Sequence, residues 1–205
     1  GSLVLSFEMP PWLIQLCQKY GIDFLDIRPS PLRFGRDLYV AMRTNNLSLY
    51  HCISKHQVLS DELRLEASEL AASVNMHQQN MEEAGRYAFN LNNTLIFIGQ
   101  APNEASLLAA NKSTPLNCMD FADHLQKLAK GRRVLHKPHP LAAEQNNIER
   151  RALENILATR VEPCFQNAYQ ILSCHHDVTL TGISSDMLQE AAWFDKPAHI
   201  LFRPF

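Results

Sequence analysis

No two cysteines in this sequence stand in CxxC spacing, and the five present (Cys17, Cys52, Cys118, Cys164 and Cys174) are odd in number and scattered. That argues against a disulfide framework or a thiolate zinc site and fits a reducing cytoplasm, with the inner face of a membrane as the alternative location. Neither GxGxxG nor GxxxxGK followed by Ser or Thr occurs. A dinucleotide oxidoreductase and a P-loop NTPase are therefore disfavoured. No apolar run approaches the roughly 18 residues of a membrane helix, and no charged-then-apolar leader opens the chain. Gly1–Ser2 reads as a cloning scar, and the strand-like run directly after it raises the expectation of native sequence upstream.

What is present is ordinary globular material. The 205 residues are 46% hydrophobic and 20% charged, enough for one medium domain plus part of a second. A formal charge of −2 points away from a nucleic-acid partner while leaving open a small phosphate ligand.

Along the first half, Leu3–Ser6 and Ile22–Ile27 read as strands around a helix over Trp12–Tyr20 that Gly21 stops. The stiff loop Arg28-Pro29-Ser30-Pro31 follows. Gly35–Arg43 reads as helical until Asn45–Asn46 breaks it. Residues 3–54 thus suggest a partial α/β segment, and residues 55–91 a long helical connector. The second half alternates more regularly. Strands are expected at Thr94–Ile98, Arg133–His136, Gln170–Leu172, Val178–Thr181 and Ala198–Phe202. Helices are expected at Met119–Ala129, Leu141–Leu157 and Ser185–Phe194. This order argues for a Rossmann-like, doubly wound parallel sheet over residues 92–205.

In such a sheet ligands bind beyond the carboxyl ends of the strands, so each strand-to-helix junction is a candidate. The first holds Gln100 and Glu104. Glu104 has two readings: a helix first-turn acid, or a carboxylate placed over a sugar donor as base, nucleophile or charge stabiliser. The second is His136-Lys137-Pro138-His139-Pro140, where two prolines stiffen a polar turn. A phosphate-binding turn through Lys137 and His139 is favoured over zinc held by His136 and His139 or a purely structural loop. The third carries Ser184 and Ser185, a helix cap or a phosphate cradle, with Glu190 either a ribose contact or structural. Cys174-His175-His176-Asp177 reads as a loop without catalytic context. Arg28 and Arg33 on their rigid loop are candidate contacts for an acidic acceptor or other ligand.

The ordered set Gln100-x-x-x-Glu104, Lys137-Pro138-His139-Pro140 and Ser184-Ser185 followed by Glu190-Ala191 resembles the capsule polysaccharide biosynthesis family. So does Phe7-Glu8-Met9-Pro10-Pro11-Trp12 taken with the stretch from Asp26 to Phe34. That family includes retaining transferases of Kdo (3-deoxy-D-manno-octulosonic acid) and is distantly similar to bacterial sialyltransferases. The resemblance implies a GT-B glycosyltransferase with residues 3–54 on the acceptor side and a CMP-activated acidic sugar bound mainly by residues 92–205. It implies donor-phosphate contacts at His139, Ser184 and Ser185, and Glu104 as nucleophile or base. No metal cofactor is called for. The implied partners are a nucleotide-sugar donor, a glycan acceptor and, peripherally, a membrane polysaccharide assembly complex. A complete GT-B enzyme needs two full domains, more than this length holds. Two other readings stay open: a non-catalytic nucleotide-sugar or phosphate-binding module, and an enzyme resembling UDP-sugar epimerases.

Overall fold

A computed structural model describes residues 2–84, 90–102, 104–109 and 114–203. The chain divides into two compact units, Gly1–Glu66 and Ala67–Phe205.

The first unit holds β1 (Leu3–Phe7), α1 (Pro11–Tyr20), β2 (Asp23–Pro29), β3 (Val40–Thr44), α2 (Leu47–Ser54) and the start of α3 (Ser60–Glu83). Its sheet runs β1-β2-β3, with β1 parallel and β3 antiparallel to β2. Pro11 at the first position of α1 has a φ already suited to a helix and no N–H to satisfy. Met9, Cys17 and Phe24 form a small core, with Val4, Leu13, Ile14 and Ile22 against it. The helix expected over Gly35–Arg43 is not there; Val40–Thr44 is a strand. Tertiary bonds override local propensity: Arg43 reaches the buried Asp26, and Thr44 Oγ1 donates to Phe24 O at 2.6 Å. Asn46, read as a breaker, is the N-cap of α2 and accepts from Leu49 N–H at 3.0 Å. Within the expected helical run to residue 90, α3 ends at Glu83, and residues 85–89 lie outside the described residues.

The second unit is a Rossmann-like α/β fold. It contains β4 (Thr94–Ile98), α4 (Ala122–Ala129), β5 (Arg133–Lys137), α5 (Ala143–Leu157), β6 (Glu162–Pro163), α6 (Ala168–Ser173), β7 (Val178–Gly182), α7 (Asp186–Glu190) and β8 (Ala198–Ile200). All five strands pair in parallel, in the order β6-β5-β4-β7-β8. The first strand is central, the next two step out one way and the last two the other. The chain therefore reverses direction across the sheet between β4 and β7, the place where doubly wound folds open a ligand crevice.

The sequence of β4 shows why the sheet is covered twice. Leu95 and Phe97 pack with Leu125, Val134, Leu153 and Ile156 on one face. Ile96 and Ile98 pack with Leu172, Leu180, Met187 and Leu188 on the other. All five β4 residues are buried, as a strand sealed on both faces requires. Gln170–Leu172, expected as a strand, lies instead in α6. Its signal was a capping box: Asn167 accepts from Tyr169 N–H, and Gln170 accepts from Asn167 N–H. The two-residue β6 is too short to leave any period in the sequence.

Candidate functional site

The site grows from the carboxyl ends of β4, β5 and β7. Two close approaches shape those ends. A Cβ on Gly182 would lie 2.9 Å from Ile98 O, so only glycine lets the end of β7 sit this near β4. A Cβ on Gly99 would lie 2.8 Å from Glu149 Oε2 and 2.9 Å from His136 Nε2. Those two side chains form a buried ion-pair geometry at 2.8 Å, with side-chain exposures of only 1% and 9%. His136 also stacks on Phe97, with ring centroids 6.2 Å apart. The core under the first junction is therefore a polar knot that glycine alone can rest on.

Beyond Gly99, the side chain of Gln100 is buried and fully engaged. Its Oε1 accepts the Ser184 N–H at 2.8 Å, and its Nε2 donates to Glu104 Oε2 at 2.8 Å and Ser184 Oγ at 3.0 Å. Ser106 Oγ donates to Glu104 Oε2 at 3.3 Å, and Ser184 Oγ to Ser106 O at 3.2 Å. One amide thus ties the β4 exit to the β7 exit across the switch point while holding the Glu104 carboxylate.

His139 faces this group from the β5 exit. Asn146 on α5 fixes its backbone from both sides: His139 N–H donates to Asn146 Oδ1 at 2.8 Å, and Asn146 Nδ2 donates to His139 O at 2.7 Å. His139 Nδ1 accepts the Leu141 N–H at 3.3 Å. A neutral imidazole so bound carries its proton on Nε2. That nitrogen lies 3.8 Å from Glu104 Oε1, beyond direct hydrogen-bond reach. The side chains are 24% and 38% exposed, so the gap between them opens to solvent.

Two hollows flank the group. One of about 510 Å³ is lined by Ser106, Ser184, Asp186, Gln189, Phe202 and Arg203 among others. The other, about 570 Å³, lies among Ala101, Pro102, Leu141, Glu144 and Ile148. Their sizes suit a small-molecule ligand.

Gln100, Glu104, His139 and Ser184 are thus brought together, while the remaining candidates stand elsewhere. Ser185 occupies the N-cap position of α7, but its side chain makes no capping bond. The Lys137 ammonium donates to Gln166 O at 2.7 Å, and burial holds its pKa below the ordinary lysine value. Glu190 is buried and accepts from Tyr169 Oη at 3.2 Å. His136 is committed to Glu149, so it and His139 do not make a metal pair. Arg28 and Arg33 lie in the first unit. There Arg28 Nε donates to Asp26 Oδ2 at 2.9 Å, and Arg33 is exposed. Ser106, Asn146 and Glu149 were not anticipated. Asn146 and Glu149 are two among many polar residues of one helix, and Ser106 sits in a single 3-10 turn, Ala105–Leu107, too short to leave a period in the sequence.

No protein-family model matches the chain. No curated protein matches it either. Among solved structures the chain is similar to one described as Thermosulfurimonas dismutans KpsC, beta Kdo 2,7 transferase. The two are 14% identical with a TM-score of 0.48, over 100% of this chain and 80% of that one. A likeness at this level carries no weight for function.

Proposed function

We propose that the second unit binds the nucleotide-sugar donor of a glycosyltransferase, an acidic sugar such as Kdo activated as its CMP derivative. What carries the reading is the Gln100–Ser184–Ser106–Glu104 network facing His139 at the switch point of a parallel sheet. Serine hydroxyls and the Nε2–H of His139 suit a phosphate that leaves as an anion. Glu104, pinned beside them, suits the carbon from which that phosphate departs, as nucleophile, base or charge stabiliser. In this reading Ser185, free of a capping bond, and Arg203 at the rim of the adjoining hollow add donors to the phosphate. The growing glycan of a capsule or other surface polysaccharide would accept the sugar.

The test is calorimetric titration of CMP into the wild-type chain, His139→Ala and Ser184→Ala. Each substitution is expected to weaken binding about tenfold, the scale of one charge-assisted hydrogen bond at about 1.5 kcal/mol. Unchanged affinity in both variants would remove the phosphate from this site.

A further inference from the structure

In the first unit, two arginines share one buried acid. Asp26, with 0% side-chain exposure, accepts Met9 N–H at 2.7 Å through Oδ1. Its Oδ2 accepts Arg28 Nε at 2.9 Å and Arg43 Nη2 at 3.1 Å. Arg28 Nη2 also donates to Met9 O at 2.9 Å. Both guanidinium groups are therefore held from behind, while the two arginine side chains remain 40% and 50% exposed. Among the described residues, Arg28 Nη1 and the Nε and Nη1 of Arg43 have no protein acceptor.

The one buried carboxylate does not offset two guanidinium groups, so the braced cluster of Asp26, Arg28 and Arg43 at this corner is itself positively charged. The exposed Glu8, next to Met9, is the acid beside it in the chain. Pre-set planar forks of N–H donors match a carboxylate better than a flexible lysine does, because little side-chain entropy is lost on binding. The corner also lies at the carboxyl ends of the parallel pair β1 and β2, beside the first turn of α1. In that turn Trp12 is 65% exposed, three residues beyond the carbonyl that Arg28 holds. An indole in water, in the helical turn that follows the carbonyl held by Arg28, offers a sugar ring an apolar face to stack on, and the cationic forks offer its acid group a partner.

We propose that Arg28 and Arg43, braced by Asp26, together with Trp12 form a binding site for a carboxylated sugar unit of a glycan. The choice of a sugar rests on the glycosyltransferase reading above; the anion selectivity rests on this corner alone. Arg43 is the discriminating residue, since Arg28 also supports the backbone of Met9.

The test follows the indole N–H signals of the intact chain by NMR, with Trp12→Phe assigning Trp12 against Trp193. Glucuronate and N-acetylneuraminate are expected to shift the Trp12 signal and galactose to leave it in place. Arg43→Gln is expected to weaken the response to glucuronate at least tenfold, and Arg43→Lys to restore part of it. Equal response to galactose, full competition by inorganic phosphate, or unchanged glucuronate affinity in Arg43→Gln would overturn the proposal. Should Arg43→Gln not fold, the contrast between acid and neutral sugar in the wild-type chain still decides. CMP binding, measured in the same samples, separates failure of this site from failure of the donor reading.

Discussion

Gln100 and Ser184, 84 residues apart in sequence, are hydrogen-bonded in both directions: Ser184 N–H to Gln100 Oε1 at 2.8 Å, and Gln100 Nε2 to Ser184 Oγ at 3.0 Å. They stand at the ends of β4 and β7, the two strands between which the sheet order reverses. The place where a doubly wound fold opens its crevice is thus laced by one side-chain amide, which also grips Glu104.

Gln100→Ala therefore removes the lace and the support of Glu104 together. It leaves the Ser184 N–H without its acceptor, at a cost of about 1–3 kcal/mol. A lower urea midpoint with an unchanged slope, together with weaker CMP binding, is the expected outcome. A midpoint equal to wild type would show that the lace contributes nothing.

Gly99→Ala places a methyl group against the His136–Glu149 pair and is expected to destabilise by about 1–3 kcal/mol, as overpacking does. Glu149→Ala alone strips the acceptor from a histidine that is 1% exposed, at a cost of roughly 3 kcal/mol. The double variant is expected to cost less than the sum, since one of the two clashing groups has gone. Guanidinium denaturation of all four proteins measures this coupling, and strict additivity would contradict the contact.

Asn146→Ala releases both backbone bonds of His139 without touching its imidazole. The expected result is severalfold weaker CMP binding and a loss of the single Nε2–H tautomer in imidazole nitrogen NMR. An unaltered tautomer and affinity would show that the loop is rigid without it.

How far the sequence discloses all this differs between its halves. Thr94–Ile98 is a nearly continuous apolar run and Val178–Thr181 a β-branched-rich one, each closed by glycine, so the Rossmann-like sheet was readable. The candidate residues at its strand ends followed from that placement. Lys137 could not be placed in the same way, because the end of a strand does not say on which side a long side chain leaves. Arg43 was misplaced with its whole segment: its strand exists through pairing with β2 and the reach to Asp26, contacts spanning 17 residues that no local period records. Nothing in the sequence sets Glu149 apart from the other polar residues of its helix, because its partner, His136, lies on another element.

The acid response of the first unit has a definite sign. Burial alone would raise the Asp26 pKa, but the Met9 N–H and the guanidinium groups of Arg28 and Arg43 hold it below its ordinary 3.8. A carboxyl depressed in the folded state contributes stability that is complete above the ordinary value and disappears as pH falls through the folded one. Trp12 fluorescence is expected to report loss of structure below about pH 4, and Asp26→Asn to flatten that dependence while lowering stability at pH 7. An unaltered acid transition in Asp26→Asn would assign it to other groups.

The donor reading is tested most directly by the melting temperature of the intact chain in a panel of CMP, UDP and GDP. A ligand at a hundred times its Kd stabilises the native state by about 2.7 kcal/mol, which raises Tm by roughly 4 °C or more in a unit of this size. CMP is expected to give that rise, UDP and GDP to give little, and Ser184→Ala to lose most of it. A flat response to all three nucleotides, or a rise with CMP that survives Ser184→Ala and His139→Ala intact, would contradict a donor site at the carboxyl ends of β4, β5 and β7.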